Sequence, residues 1–105
     1  MKTTILFVVL ALLFLGCIGE NYTSIKDIKE DPGTYLGEKV LVTGTVKDSF
    51  KLGQLSGFTL EGDNETIFVS SSMLPVEGTE VVVEGTVMQE IIVGYYILAK
   101  DVTTT

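Results

Sequence analysis

A ten-residue pattern that occurs twice constrains the fold more than any other feature of the chain. The segments are GEKVLVTGTV at residues 37–46 and GTEVVVEGTV at residues 78–87, and six of the ten positions are identical. Valines alternate with other residues in both segments, as in a half-buried strand. A glycine within a strand is typical of a bulge or a tight bend. The repeat therefore predicts two long strands that bend alike in a closed barrel; coincidence between two generic valine-rich strands is the alternative.

Three more strands follow from alternation and turn chemistry. Residues 55–61 and 66–70 flank the sequence Gly-Asp-Asn-Glu at 62–65, which is typical of a hairpin turn. Residues 95–101 supply the last strand. Five strands in a short chain indicate an all-β domain, and closure of the sheet would remove exposed edges, which promote aggregation.

A single short helix is predicted before the strands, over residues 25–31. Ser24 has the character of an N-cap, and Ile25 and Ile28 lie three apart on one side. Pro32 with the following glycine is expected to end this helix.

The first part of the chain has the layout of an export signal. One lysine precedes the apolar run ILFVVLALLFL at residues 5–15. This run is shorter than the roughly 20 residues of a membrane span. The only cysteine, Cys17, follows, and Phe-Leu-Gly-Cys at 14–17 resembles the lipobox of prokaryotic lipoproteins, in the looser form of archaeal ones. An ordinary signal peptide or an uncleaved anchor is the alternative.

These observations predict where the exported protein begins and where it is located. The expected organisation is a signal peptide over residues 1–16, a lipidated tether over residues 17–23 and a folded domain over residues 24–105. Lipid on Cys17 would hold the domain at the outer face of the cell membrane. Asn21 and Asn64 both begin an Asn-x-Thr acceptor, which suits an exported protein in a host that glycosylates.

The amino-acid composition excludes the commonest catalytic and metal-binding chemistry, and the chain is acidic. The chain has no histidine, and its formal net charge is −7. Imidazole catalysis and histidine metal ligation are therefore absent, and with Cys17 assigned to lipid no thiolate zinc site is possible. The acidic turn at 61–65 lacks the spacing of a calcium loop. We expect no enzymatic activity, no metal and no cofactor. The negative charge also argues against binding the phosphates of nucleic acid.

The order of segments resembles a known fold. Four stretches carry the likeness: DPGTYLGEKVLVTGTV, GFTLEGD, VEGTEVVVEGTV and YYILAKDV. Together they look like an OB-fold, closest to the anticodon-binding type of tRNA synthetases and single-strand-binding proteins, over about residues 24–102. The likeness implies a five-stranded Greek-key barrel whose first and fourth strands pair antiparallel. Residues 71–78 are too few for the helix that many OB-folds place there, so the N-terminal helix is expected to cover the barrel end.

The resemblance also implies a ligand face, formed by the second and third strands and by two loops. The residues expected there are Phe50, Lys51, Gln54, Phe68 and Tyr96. Aromatic rings over a groove stack bases or sugars, and the alternative is that these rings only cover the core. The leading hypothesis is a lipid-anchored, extracytoplasmic binding module for a protein, peptide or glycan. The competing hypothesis is a protein that binds single-stranded nucleic acid.

Overall fold

The computed structural model of the chain describes residues 21–52 and 55–105. The predicted signal peptide, the lipid site at Cys17 and Gln54 lie outside these residues. The elements, in chain order, are α1 (Ile25–Glu30), α2 (Pro32–Tyr35), β1 (Lys39–Leu52), β2 (Leu55–Gly62), β3 (Glu65–Ser70), β4 (Glu80–Glu90) and β5 (Gly94–Thr104). Neither helix in this described part is long and apolar enough to cross a membrane.

The five strands close into one barrel in the order β1-β2-β3-β5-β4, with β4 returning to β1. All neighbouring strands are antiparallel except β3 and β5, which pair in parallel at residues 68–70 and 96–98. This arrangement confirms the predicted five-stranded OB-fold barrel. Closure gives each strand two neighbours along part of its length, which reduces the edge that another chain could extend.

The repeated segments are antiparallel neighbours, as predicted. Their register is symmetric: Val42 lies opposite Val83, Val40 opposite Gly85, and Gly44 opposite Val81. All four valines are buried. Each glycine of the repeat therefore lies across from the first valine of the other copy.

The two glycines allow close approach of a further strand. A Cβ on Gly44 would lie 2.6 Å from the Glu61 carbonyl oxygen of β2, and a Cβ on Gly85 would collide with the Leu98 carbonyl oxygen of β5. Gly85 lies at a register shift between β4 and β5, whereas the shift in β1 follows Val46, beyond Gly44. The predicted bend or bulge is thus a bulge at Gly85, whereas at Gly44 the register with β4 is regular and the bulge of β1 comes after Val46.

The core fills the barrel with valine, isoleucine, leucine and one phenylalanine. Alternation along each strand decides which residues enter it. Its buried members within the described residues are Ile25, Ile28, Val40, Val42, Val46, Phe58, Leu60, Ile67, Val69, Val81, Val83, Val87, Ile97 and Val102.

The helices differ from the single helix that the sequence predicts. The Ser24 hydroxyl accepts a hydrogen bond from the Asp27 N–H at 3.0 Å, and Asp31 ends α1. Pro32 then begins α2, because proline lacks the N–H that the first position of a helix leaves unpaired. Ile25 and Ile28 reach the core, and α1 packs on β2 and β3, which agrees with the expected cover of the barrel end.

The connection from β3 to β4 contains no helix, as its length predicts, and follows β1 instead. The Gly78 N–H donates to the Val46 carbonyl at 2.7 Å, and the Val46 N–H donates to the Thr79 carbonyl at 2.9 Å. The Ser49 hydroxyl donates to the Pro75 carbonyl at 2.9 Å. These bonds hold the connection against the barrel on the side of the sheet opposite to Phe50, since neighbouring residues of a strand face opposite ways.

Candidate ligand-binding face

Three aromatic side chains from three strands form a continuous surface on the outside of the barrel. Phe50 of β1 stacks on Phe68 of β3, with ring centroids 5.2 Å apart and planes 18° apart. Tyr96 of β5 continues the row, 6.2 Å from Phe68 and tilted by 52°. All three rings are half-buried. We call these three residues the aromatic shelf; they are three of the five residues that the sequence assigns to a ligand face.

Strand alternation puts Phe68 on the outside. Its neighbours Ile67 and Val69 are both buried in the core, so Phe68 must face outward. Register then brings the other rings to the same side, because Tyr96 lies opposite Phe68. The alternation along β3 that places Ile67 and Val69 in the core therefore also places Phe68 on the outer surface.

Gly57 of β2 is a residue of this site that the sequence analysis did not single out. It lies opposite Phe50, and a Cβ at this position would be 2.7 Å from the Phe68 Cζ atom. The Phe68 ring therefore lies directly on the backbone of β2, in space that any side chain at position 57 would occupy. The sequence signal for this contact was a glycine in the middle of one strand together with an outward-facing aromatic residue on the strand paired with it.

Lys51 is not part of the aromatic shelf. It follows Phe50 directly in β1, so its side chain leaves the opposite face of the strand. It pairs with Ser56, whose hydroxyl donates to the Ser71 carbonyl at 2.7 Å. Gln54, the fifth predicted residue, lies outside the described residues.

The hairpin between β4 and β5 rises beside the shelf and presents apolar side chains to solvent. Ile91 is 99% exposed and Ile92 is 90% exposed. A carboxylate holds this tip: Glu90 Oε2 accepts the Ile92 N–H at 3.0 Å and the Val93 N–H at 2.9 Å. No residue of this tip was predicted to have a role, since the last strand was expected only from residue 95 onward.

A groove of about 320 Å³ lies between this tip and the shelf. Its lining is Phe68, Ser70, Glu90, Ile92, Val93 and Tyr96. It thus combines two aromatic rings, two aliphatic side chains, the hydroxyls of Ser70 and Tyr96 and one carboxylate. Large exposed apolar side chains around one groove are typical of a binding surface.

Charged groups around the shelf are mainly acidic. Asp48 lies opposite Thr59, which lies opposite Phe68, so the three share the outer face. Lys47 precedes Asp48 on β1, and its ammonium lies 3.7 Å from a Glu61 carboxylate oxygen. A cation that already has a carboxylate partner attracts a further anion weakly, because the pair is nearly neutral at a distance.

The remaining predicted sites lie away from the shelf. Asn21 and Asn64 are both exposed, and whether they carry glycans stays a prediction. Asp63 and Asn64 have φ of 54° and 63°, as in the two-residue turn predicted for this hairpin. Within residues 21–52 and 55–105, no cluster of acidic or thiol side chains is arranged to hold a metal ion.

Two solved structures with the same fold are tRNA synthetases. One is a Leishmania major protein described as an aspartyl-tRNA synthetase, with a TM-score of 0.67 and 13% identity over 82% of this chain and 21% of that chain. The other is the asparaginyl-tRNA synthetase from Pyrococcus horikoshii, with a TM-score of 0.67 and 13% identity over 80% of this chain and 23% of that chain. The chain spans about a fifth of the length of each. No protein-family model and no curated protein matches the sequence.

Barrel topology and these neighbours together make the chain an OB-fold domain. At 13% identity the likeness establishes the fold and leaves the ligand open. Both neighbours are named for tRNA, and whether this chain binds nucleic acid stays a prediction. Neither comparison bears on export or on a lipid anchor.

Proposed function

We propose that this chain is a non-catalytic binding module whose ligand lies on the aromatic shelf and in the groove beside it. The observation that carries the proposal is the row Phe50, Phe68 and Tyr96, with Phe68 stacked 5.2 Å from Phe50. Rings that remain half-exposed on an outer face offer flat apolar surface to a planar or aliphatic ligand. Nothing in the barrel core requires these three rings, since alternation turns them away from it.

Single-stranded nucleic acid is the ligand class that the comparisons support, because both structural neighbours are tRNA synthetases. Stacking of a base on an aromatic side chain contributes roughly 1–3 kcal/mol. The test is titration of a fluorescent 12-nucleotide single strand with the chain, in low and in physiological salt. If single-stranded nucleic acid is the ligand, Phe68→Ala should weaken binding by about tenfold or more, and added salt should weaken it further.

A matched control separates stacking on the shelf from a general effect of losing an aromatic side chain. Tyr22 is 53% exposed and lines a different surface, beside Leu41 and Val82. Tyr22→Ala should leave the affinity unchanged. If both variants lose the same affinity for the oligonucleotide, or if neither loses any, the shelf is not the nucleic-acid site.

The second candidate is an extracytoplasmic module anchored by lipid on Cys17, with a protein, peptide or glycan as partner. The N-terminal sequence favours it: an apolar run at 5–15, then a lone cysteine in a lipobox-like context of archaeal type. The chain should incorporate a radiolabelled lipid precursor, and Cys17→Ser should abolish the label and release the domain from membranes. Soluble wild-type protein with a free thiol would contradict the anchor without affecting the role of the shelf.

A further inference from the structure

We propose that the groove beside the aromatic shelf binds a cationic side chain, arginine or lysine, of an extended peptide. The inference rests on the proposed function, since it takes the shelf as the ligand face. It goes further by naming the chemistry of the partner, and the charges around the groove decide between the two candidate ligand classes.

The groove has the separate parts that a long cationic side chain needs. Phe68 and Tyr96 supply rings, Ile92 and Val93 supply an aliphatic wall, and Glu90 supplies a carboxylate, all around one space of about 320 Å³. Arginine and lysine bury an aliphatic stem along apolar surface while the head keeps a polar partner. A cation over an aromatic face is attracted by the ring quadrupole, most strongly where water is excluded.

The carboxylate in this groove is fixed before any ligand arrives. Glu90 Oε2 accepts hydrogen bonds from the N–H groups of Ile92 and Val93, at 3.0 and 2.9 Å. These bonds fix the Glu90 carboxylate relative to Ile92 and Val93 within the hairpin turn. A preorganised site loses less conformational freedom on binding, so more of the contact energy appears as affinity.

The wider charge pattern disfavours a phosphate and favours a cation. Asp48 lies on the outer face at the β1 side of the shelf, and Glu90 lies at the β4 side. Lys47 is paired with Glu61 at 3.7 Å, and Lys51 leaves the opposite face of β1. In a chain of net charge −7, a phosphate on the shelf would meet the carboxylates of Asp48 and Glu90, while Lys47 is already paired and Lys51 points away.

The occupant is therefore a peptide with a basic residue between apolar ones. Ile91 and Ile92 are almost fully exposed at the tip, and apolar residues flanking the arginine or lysine would cover them. Oligonucleotides offer no comparable aliphatic surface, and their backbone carries the wrong charge for Asp48 and Glu90.

The experiment is calorimetric titration of the full chain in phosphatidylcholine nanodiscs, with empty nanodiscs as the blank. The probe is the acetylated, amidated peptide Gly-Leu-Arg-Leu-Gly. Its control carries citrulline, which keeps the shape of arginine without the charge. We expect the arginine peptide to bind about 5- to 30-fold more tightly than the citrulline peptide, the range that a desolvated cation–ring contact with a carboxylate gives.

Variants locate the effect. In Glu90→Gln the amide oxygen still accepts the two tip N–H groups, so the hairpin keeps its shape while the charge is lost. This variant should reduce the preference for arginine over citrulline to less than about twofold. Glu84→Gln removes an exposed carboxylate from the same strand, away from the groove, and should leave the preference intact.

The other possible results of these titrations would each contradict a stated part of the proposal. Equal binding of both peptides, with loss in Phe68→Ala, would keep the shelf as the ligand face and overturn cation recognition. Peptide binding that Phe68→Ala leaves unchanged would overturn the proposed function as well. Absence of arginine-peptide binding overturns the inference, and salt-sensitive binding of a 12-nucleotide single strand that Phe68→Ala weakens would assign the groove to nucleic acid.

Discussion

Gly85→Ala tests the explanation of the repeated segment. The added Cβ would collide with the Leu98 carbonyl oxygen and lie 2.7 Å from Ile97 Cγ2 and 3.0 Å from Ala99 Cα. Two of these three atoms belong to the backbone of β5, which cannot rotate away as a side chain does. Overpacking of a dense core costs about 1–3 kcal/mol. We expect a loss of about 2–3 kcal/mol in the free energy of unfolding, at the upper end because the backbone must move.

Urea denaturation followed by circular dichroism measures this loss as a lower midpoint at an unchanged slope. In a domain of this size about 1 kcal/mol corresponds to 4–8 °C in Tm, so Gly85→Ala should melt about 10–20 °C lower. Gly33→Ala is the matched control, since a Cβ on Gly33 meets nothing within 4 Å. It should leave stability within about 0.5 kcal/mol of the wild type, or raise it slightly by restricting the unfolded chain. A Gly85→Ala variant as stable as Gly33→Ala would refute the idea that close approach of β5 requires this glycine.

The same denaturation assay checks three further variants. Val42→Ala should cost about 2–3 kcal/mol, because it removes two buried methyl groups at the barrel centre and leaves a cavity; a loss below about 1 kcal/mol would show that the barrel collapses around it. Ser24→Ala should cost about 1 kcal/mol by removing the hydrogen bond that caps α1, and Ser24→Asp should restore it. Ser49→Ala should cost about 1 kcal/mol and speed amide hydrogen exchange in residues 71–79, since it releases the Pro75 carbonyl; unchanged exchange would mean that the backbone bonds of Val46 suffice.

The sequence predicts the barrel well because its strongest signals are local. Alternation in the repeated segments decides which residues enter the core, and the outward position of Phe68 follows from buried neighbours on each side. The turn at Asp63 and Asn64 is equally local, since the residue types allow positive φ.

Features that depend on neighbouring strands were predicted less well. The register shift in β1 lies after Val46 rather than at Gly44, because the position of a bulge depends on how β2 and β4 divide the strand between them. β5 extends to Thr104, beyond the predicted end at residue 101, because β4 offers partners for three more residues. The second helix arises because Pro32, read as a stop, equally suits the first position of a helix.

The candidate site divides in the same way. Phe50, Phe68 and Tyr96 were predicted from the ligand face that the OB-fold resemblance implies, and they do meet on one face. Gly57 and Glu90 were not predicted, because their roles depend on a ring from another strand and on the shape of a hairpin tip. Residue types indicate that a strand has an aromatic side chain to present, but the space beneath it and the acid beside it are properties of the assembled barrel.

The symmetric register of the repeated segments has a consequence for the chain while it is being synthesised. Val42 lies opposite Val83, and Val40 lies opposite Gly85, which corresponds to Gly44. Two copies of the first segment, brought together antiparallel about Val42, would place Val40 opposite Gly44 in the same way. The β1 segment of a nascent chain can therefore pair in the same register with the β1 segment of another nascent chain, until its own β4 has been synthesised. Barrel closure replaces this intermolecular partner with an intramolecular one, and removes the strand from the reach of its own copies.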